Sequence, residues 1–118
     1  MIVKKPTIII YACSPDAQLL SEVCAGIEEE GILFETVAVP VGAAEALSVR
    51  ACDESMLGVG IGITGSTLSL HIRGMNIRSG NDEKTALLFC ENADADAARA
   101  LGSNGARVIK KTPLRLPD

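Results

Sequence analysis

Hydrophobic positions change their period several times along this chain. Thr7-Ile8-Ile9-Ile10-Tyr11 is a continuous, largely β-branched run, which suits a central strand buried on both faces. Ser14-Pro15-Asp16 then offers an N-cap, a proline for the first helical position and an early acid. Leu19, Leu20, Val23, Cys24 and Ile27 follow at helical spacing. Gly31 is placed to take the left-handed conformation that closes a helix. Leu33 to Val39 predicts a second strand, stopped by Pro40. This strand–helix–strand unit should be right-handed and parallel. The alanine-rich stretch 42–52 predicts a second helix, with Ala43, Leu47 and Ala51 on one face and Asp53-Glu54-Ser55 at its end.

Gly58-Val59-Gly60-Ile61-Gly62-Ile63 alternates strictly. Val59, Ile61 and Ile63 share one side of a strand and the glycines share the other. Glycine weakens a strand unless something must come close to it, so a helix or a partner is expected on that bare face. Thr64-Gly65-Ser66 is turn material, and Thr67 to Ile72 alternates again. The short connection requires a hairpin, so this fourth strand runs antiparallel to the third. A polar loop covers 73–84, and Thr85 to Cys90 reads as the fifth strand. Asn92 or Asp94 can cap a last helix through Ala95, Ala97, Ala98 and Leu101. Gly102 and Gly105 weaken its middle, each by up to about 1 kcal/mol against alanine. The segment 104–110 then reads as a second helical piece or as the same helix after a kink. The whole is a single domain over 1–118, a three-layer α/β sandwich on a mixed five-stranded sheet with one strand reversed.

Composition narrows the function. Hydrophobic residues make up 47% of the chain, enough for a proper core. Aromatics are only Tyr11, Phe34 and Phe89, too few for base- or sugar-stacking surfaces. A net charge of −4 disfavours nucleic acid and anionic membranes. Cys13, Cys24, Cys52 and Cys90 show no C-x-x-C spacing and read as free thiols of a cytoplasmic protein.

Chemistry-bearing motifs mostly fail on context. Gly60-Ile61-Gly62-Ile63-Thr64-Gly65 spells G-x-G-x-x-G. A dinucleotide fingerprint needs a helix N-terminus after it, whereas a strand follows here. His71, the only histidine, has no recognisable group to orient it. No His/Cys cluster has zinc spacing. No complete catalytic site is present, and the chain reads as a non-enzymatic interaction subunit.

One stretch breaks a local rule. Gly26-Ile27-Glu28-Glu29-Glu30-Gly31-Ile32 stacks three carboxylates at a helix C-terminus, where an acid is unfavourable by about 0.3–1 kcal/mol. Such a tip asks for a Lys or Arg, a bound metal, or plain solvent. Successive helical residues point about 100° apart, so no single partner faces all three. Glu29 bisects the fan.

Gly26-Ile27-Glu28-Glu29-Glu30-Gly31-Ile32-Leu33-Phe34 resembles the G-I-E-E-E-G-I-x-F pattern of the small subunit of the reactivating factor for adenosylcobalamin-dependent diol and glycerol dehydratases. Val59-Gly60-Ile61 matches the start of that family's third strand. Gly102-Ser103-Asn104-Gly105-Ala106-Arg107-Val108-Ile109-Lys110 resembles its closing G-x-N-x-A-R-x-x-K segment. The resemblance implies an anticodon-binding-domain-like sandwich, strand order 2-1-3-4-5 with strand 4 antiparallel. It implies a large ATPase subunit and the dehydratase as partners, and release of damaged cobalamin by subunit exchange. It implies no cofactor of the chain's own, but a shared Mg²⁺ reached by Glu29, with Glu28 and Glu30 solvated or at the rim of the partner interface.

On this reading, positive charge brought by another polypeptide offsets the acidic tip. Two rival readings are a medium-subunit component of a dehydratase and a stand-alone small-ligand-binding domain using the glycine-rich strand. Self-association of the isolated chain, and location in the open cytoplasm or a bacterial microcompartment, stay open at this level.

Overall fold

The computed structural model describes residues 6–74 and 89–110. The strands are β1 (Ile8–Cys13), β2 (Phe34–Ala38), β3 (Val59–Thr64), β4 (Thr67–Ile72) and β5 (Phe89–Cys90). The helices are α1 (Ala17–Glu29), α2 (Ala44–Glu54) and α3 (Ala95–Lys110). The sheet order is β2-β1-β3-β4-β5. β1 lies parallel to both β2 and β3, while β4 is antiparallel to β3 and β5. The reversed strand is therefore the fourth, as the short Gly65-Ser66 connection requires. The expected loop residues 75–84 and strand residues 85–88 lie outside the described residues.

Period-two alternation sorts the side chains into two layers. Ile8, Ile10, Ile61, Ile63, Leu68 and Leu70 are fully buried and meet Leu19, Val23 and Ile27 of α1 and Ala98, Leu101 and Ala106 of α3. The opposite face carries Tyr11, Cys13 and Ile9 of β1 beneath Leu47 and Ala51 of α2. The bare glycine row lies under α2. A Cβ on Gly60 would stand 2.6 Å from the Ala51 carbonyl carbon, and one on Gly62 would stand 2.7 Å from the Ser48 nitrogen. The occupant expected on that face is thus the chain's own helix. The small-ligand reading of the glycine-rich strand fails for the same reason, since backbone already fills the space. β2 is an edge strand, and Val37 is 41% exposed on it.

Two local expectations need correction. The cap of α1 is Asp16, not Ser14. The Asp16 carboxylate accepts from the backbone N–H of Gln18 and Leu19 at 3.0 and 3.1 Å, and Ala17 opens the helix. A carboxylate satisfies two of the orphan donors at once and favours the positive end of the helix. α3 is one unbroken helix through Gly102 and Gly105. Its tertiary contacts outweigh the weak propensity of its middle. Gly31 does close α1, with φ 77°. Asp94 caps α3, accepting from the Ala97 N–H at 2.8 Å.

Candidate functional site

The site grows out of the meeting of α1 and α3. Gly26 and Gly102 carry no side chain, so the two helix backbones come into direct contact. A Cβ on Gly26 would lie 2.8 Å from the Ser103 nitrogen, and one on Gly102 would lie 2.9 Å from the Val23 carbonyl carbon. An acidic stripe on α1 (Glu22, Glu29 and the capping Glu30) consequently faces a polar and basic stripe on α3 (Arg99, Ser103, Arg107 and Lys110).

Arg99 forks across two carboxylates. Its Nη2 donates to Glu22 at 3.1 Å and its Nη1 donates to Glu29. Both acids hold the guanidinium protonated, Glu22 first. Glu30 is tied more completely. Its carboxylate accepts from Ser103 Oγ at 2.9 Å, Arg107 Nε at 3.0 Å and Lys110 Nζ at 3.2 Å. The Arg107 bond, then the Ser103 bond, holds its carboxyl below the ordinary carboxylate range. Glu28 lies exposed. Side-chain exposure separates the two paired acids: 11% for Glu30 and 47% for Glu29.

The expectation that the acidic tip is neutralised from outside is therefore corrected. α1 has no basic residue in its last turn, but α3 brings three cations to it. Glu30, expected as solvated or at the rim, instead has its carboxylate largely enclosed against α3. α2 is treated the same way. Its acidic end also lacks a basic residue in the last turn, and Arg73 Nη2 donates to the carbonyls of Cys52 and Ser55 at 3.1 and 2.9 Å. Arg50 bridges Glu54 and stacks over Tyr11, whose hydroxyl donates to Glu54. Sequence reasoning missed Arg99 and Arg73. The spacing Arg99, Ser103, Arg107, Lys110 is one helical face, and that was the available signal.

The remaining candidates hold no assembled chemistry. His71 has no partner for its buried Nδ1 among the described residues. The four cysteines are free, and burial pushes the thiols of Cys24, Cys52 and Cys90 up. Among the described residues, no three of His, Cys, Asp and Glu group so as to hold a metal ion by themselves.

Compared with known families, residues 5–115 match the model described as dehydratase medium subunit. The chain belongs to the dehydratase medium subunit family. Within it, the chain groups with the small subunits of dehydratase-reactivating factors. It is 34% identical over 112 residues to the propanediol dehydratase-reactivating factor small subunit of Salmonella typhimurium, covering 93% of this chain and 90% of that one. It is 33% identical to the diol dehydratase-reactivating factor small subunit of Klebsiella michiganensis, covering 93% and 84%. Among solved structures, it is similar to a chain of the diol dehydratase-reactivating factor complexed with ADP and Mg²⁺. The TM-score there is 0.79 at 32% identity, covering 95% of this chain and 99% of that one. A chain of a glycerol dehydratase reactivase gives 0.77 at 25% identity, covering 94% and 97%.

In this dehydratase medium subunit family member, the Glu30 cluster carries a pH signature. A carboxyl depressed in the folded state adds stability that is fully present above its unfolded pKa, about 4.3. That stability is lost as pH falls through the lower folded value. Glu30→Gln should lower the melting temperature at pH 7. The gap to the parent should shrink as pH drops below about 4.3. Melting curves across that range check it, and a gap constant with pH would contradict it.

Proposed function

We propose that this chain is the non-catalytic, chaperone-like small subunit of a reactivating factor for an adenosylcobalamin-dependent diol or glycerol dehydratase. In this reading it pairs with a large ATPase subunit, in the cytoplasm or a microcompartment within it. It helps damaged cobalamin leave by exchanging with the dehydratase's own medium subunit. The observation that carries the reading is the near-complete structural match to a chain of a reactivating factor solved with ADP and Mg²⁺.

The tip of α1 is the proposed meeting point with the large subunit. A divalent cation such as Mg²⁺ is hard and prefers oxygen ligands. The chain's own residues fit a shared site, because Glu29 is half-exposed and, among the described residues, is paired with Arg99. Glu29 would supply one carboxylate, and the large subunit would supply the rest. The cation would link the two subunits across their interface. Glu28 would lie at the rim. Glu30 contributes by holding the helix end in place through α3.

Association with the large ATPase subunit, measured by calorimetry with and without Mg²⁺, tests the reading. Glu29→Gln should weaken Mg²⁺-dependent association by about tenfold or more, as expected on removing one partner of a buried charge contact. Unchanged affinity would remove Glu29 from the interface. Failure of the parent chain to bind any reactivase large subunit would overturn the function itself.

A further inference from the structure

We propose that Arg99 is a built-in competitor of the metal for Glu29, setting how much divalent cation the chain needs before it assembles. The proposal rests on the Glu29 reading above and concerns how that site is controlled. The geometry behind it is the asymmetric fork. Arg99 holds Glu29 with one amino group and Glu22 with the other. Its side chain is 35% exposed, and Glu22 is more enclosed than Glu29, at 25% against 47%. A guanidinium released by Glu29 still keeps Glu22, so the exchange leaves no enclosed charge without a partner. Glu30 lacks this freedom, because three donors and close packing fix it. Glu29 alone among the paired acids of the tip can be handed over.

One carboxylate cannot serve the fork and a divalent cation equally, since Arg99 would sit beside a like charge. In the free chain Arg99 occupies Glu29, and in the assembled factor it turns wholly to Glu22. Glu22 is the positioning residue of the device. It keeps Arg99 near and draws it away from Glu29.

The test is the Mg²⁺ concentration for half-maximal assembly of the chain with its large ATPase subunit. Arg99→Gln should lower that midpoint by about two- to fivefold, the range of a partly exposed ion pair. Glu22→Gln should raise it by a similar factor, because Arg99 is then left to Glu29 alone. Arg99→Lys separates the latch from the general field of a positive charge. It keeps the charge and loses the fork, so its midpoint should also fall. An unchanged midpoint in Arg99→Lys would overturn the proposal while leaving Glu29 a ligand. So would midpoints shifting the same way in Arg99→Gln and Glu22→Gln. Mg²⁺-dependent assembly that survives Glu29→Gln intact would instead remove the Glu29 reading, and the latch with it. Melting curves of each isolated variant confirm that the helices stay packed.

Discussion

Gly102→Ala should destabilise this domain by about 2 kcal/mol or more, although alanine is the better helix former. Helix propensity alone predicts the opposite sign, a gain of about 1 kcal/mol per Gly→Ala exchange in a helix interior. The new methyl group would meet backbone, 2.9 Å from the Val23 carbonyl carbon and 3.1 Å from its Cα. Backbone cannot rotate away as a side chain can, so α1 and α3 must separate. Separation would also stretch the bonds from Arg99 to Glu22 and Glu29. Gly105 provides the control in the same helix. A Cβ there would meet only side-chain methyls, the nearest being Leu70 Cδ1 at 3.2 Å. Gly105→Ala should therefore stay within about 1 kcal/mol of the parent. Urea unfolding of the two variants, with midpoints compared at equal slope, checks the pair. Equal effects at both positions would mean that the helices are not in backbone contact.

Much of the sheet was readable because its signals are local. The run at Ile8–Ile10, the alternation at Val59–Ile63 and the short turn at Gly65-Ser66 each fix a strand or a reversal through near neighbours. The glycine row even announced that something packs on it, and α2 does. The acidic tip was legible as a problem but not in its solution. Its cations come from residues 70 or more positions away along the chain, and nothing in Glu28–Glu30 names them. Arg107 and Lys110 lie in the last turn of α3, where a cation is favourable in its own right, so their sequence position alone does not signal a second role. The link was the pair Gly26 and Gly102: Gly102 reads by itself as a weak point in its helix, and nothing local joins it to Gly26 as the other half of one contact. With that contact granted, the stripe Arg99–Ser103–Arg107–Lys110 falls opposite the acids of α1. Neither α1 nor α2 carries a basic residue in its last turn; arginines of α3 pair with the acids of α1, and Arg73 caps the last carbonyls of α2.

Gly62→Ala should be at least as damaging, at about 3 kcal/mol, through the other face of the sheet. α2 presents Ala44, Ser48, Ala51 and Cys52, a helical stripe of small residues, to the glycine row of β3. A Cβ at Gly62 would stand 2.7 Å from the Ser48 nitrogen and 2.9 Å from the Ala44 carbonyl carbon, and closer still to the Ala44 oxygen. Helix and strand are both backbone at this point, so the clash is relieved only by lifting α2. Lifting it breaks the bond between the Ser48 and Ser69 hydroxyls, 2.9 Å apart and wholly buried. The enclosed Ser69 hydroxyl would then lose this partner, at a cost of about 1–3 kcal/mol when water cannot replace it, while Ser48 keeps its bond to the Glu45 carbonyl. Against a total stability of about 5–15 kcal/mol for a domain of this kind, such a loss removes a large share of the folded population on heating. Gly65→Ala isolates the backbone contribution, since nothing lies within 4 Å of a Cβ there and only its φ of 57° resists the change. That variant should lose about 1 kcal/mol. Thermal and urea unfolding of the two would separate clash from conformation. Should Gly62→Ala prove no worse than Gly65→Ala, α2 would not rest on the sheet through its backbone, and the account of the glycine row would have to be abandoned.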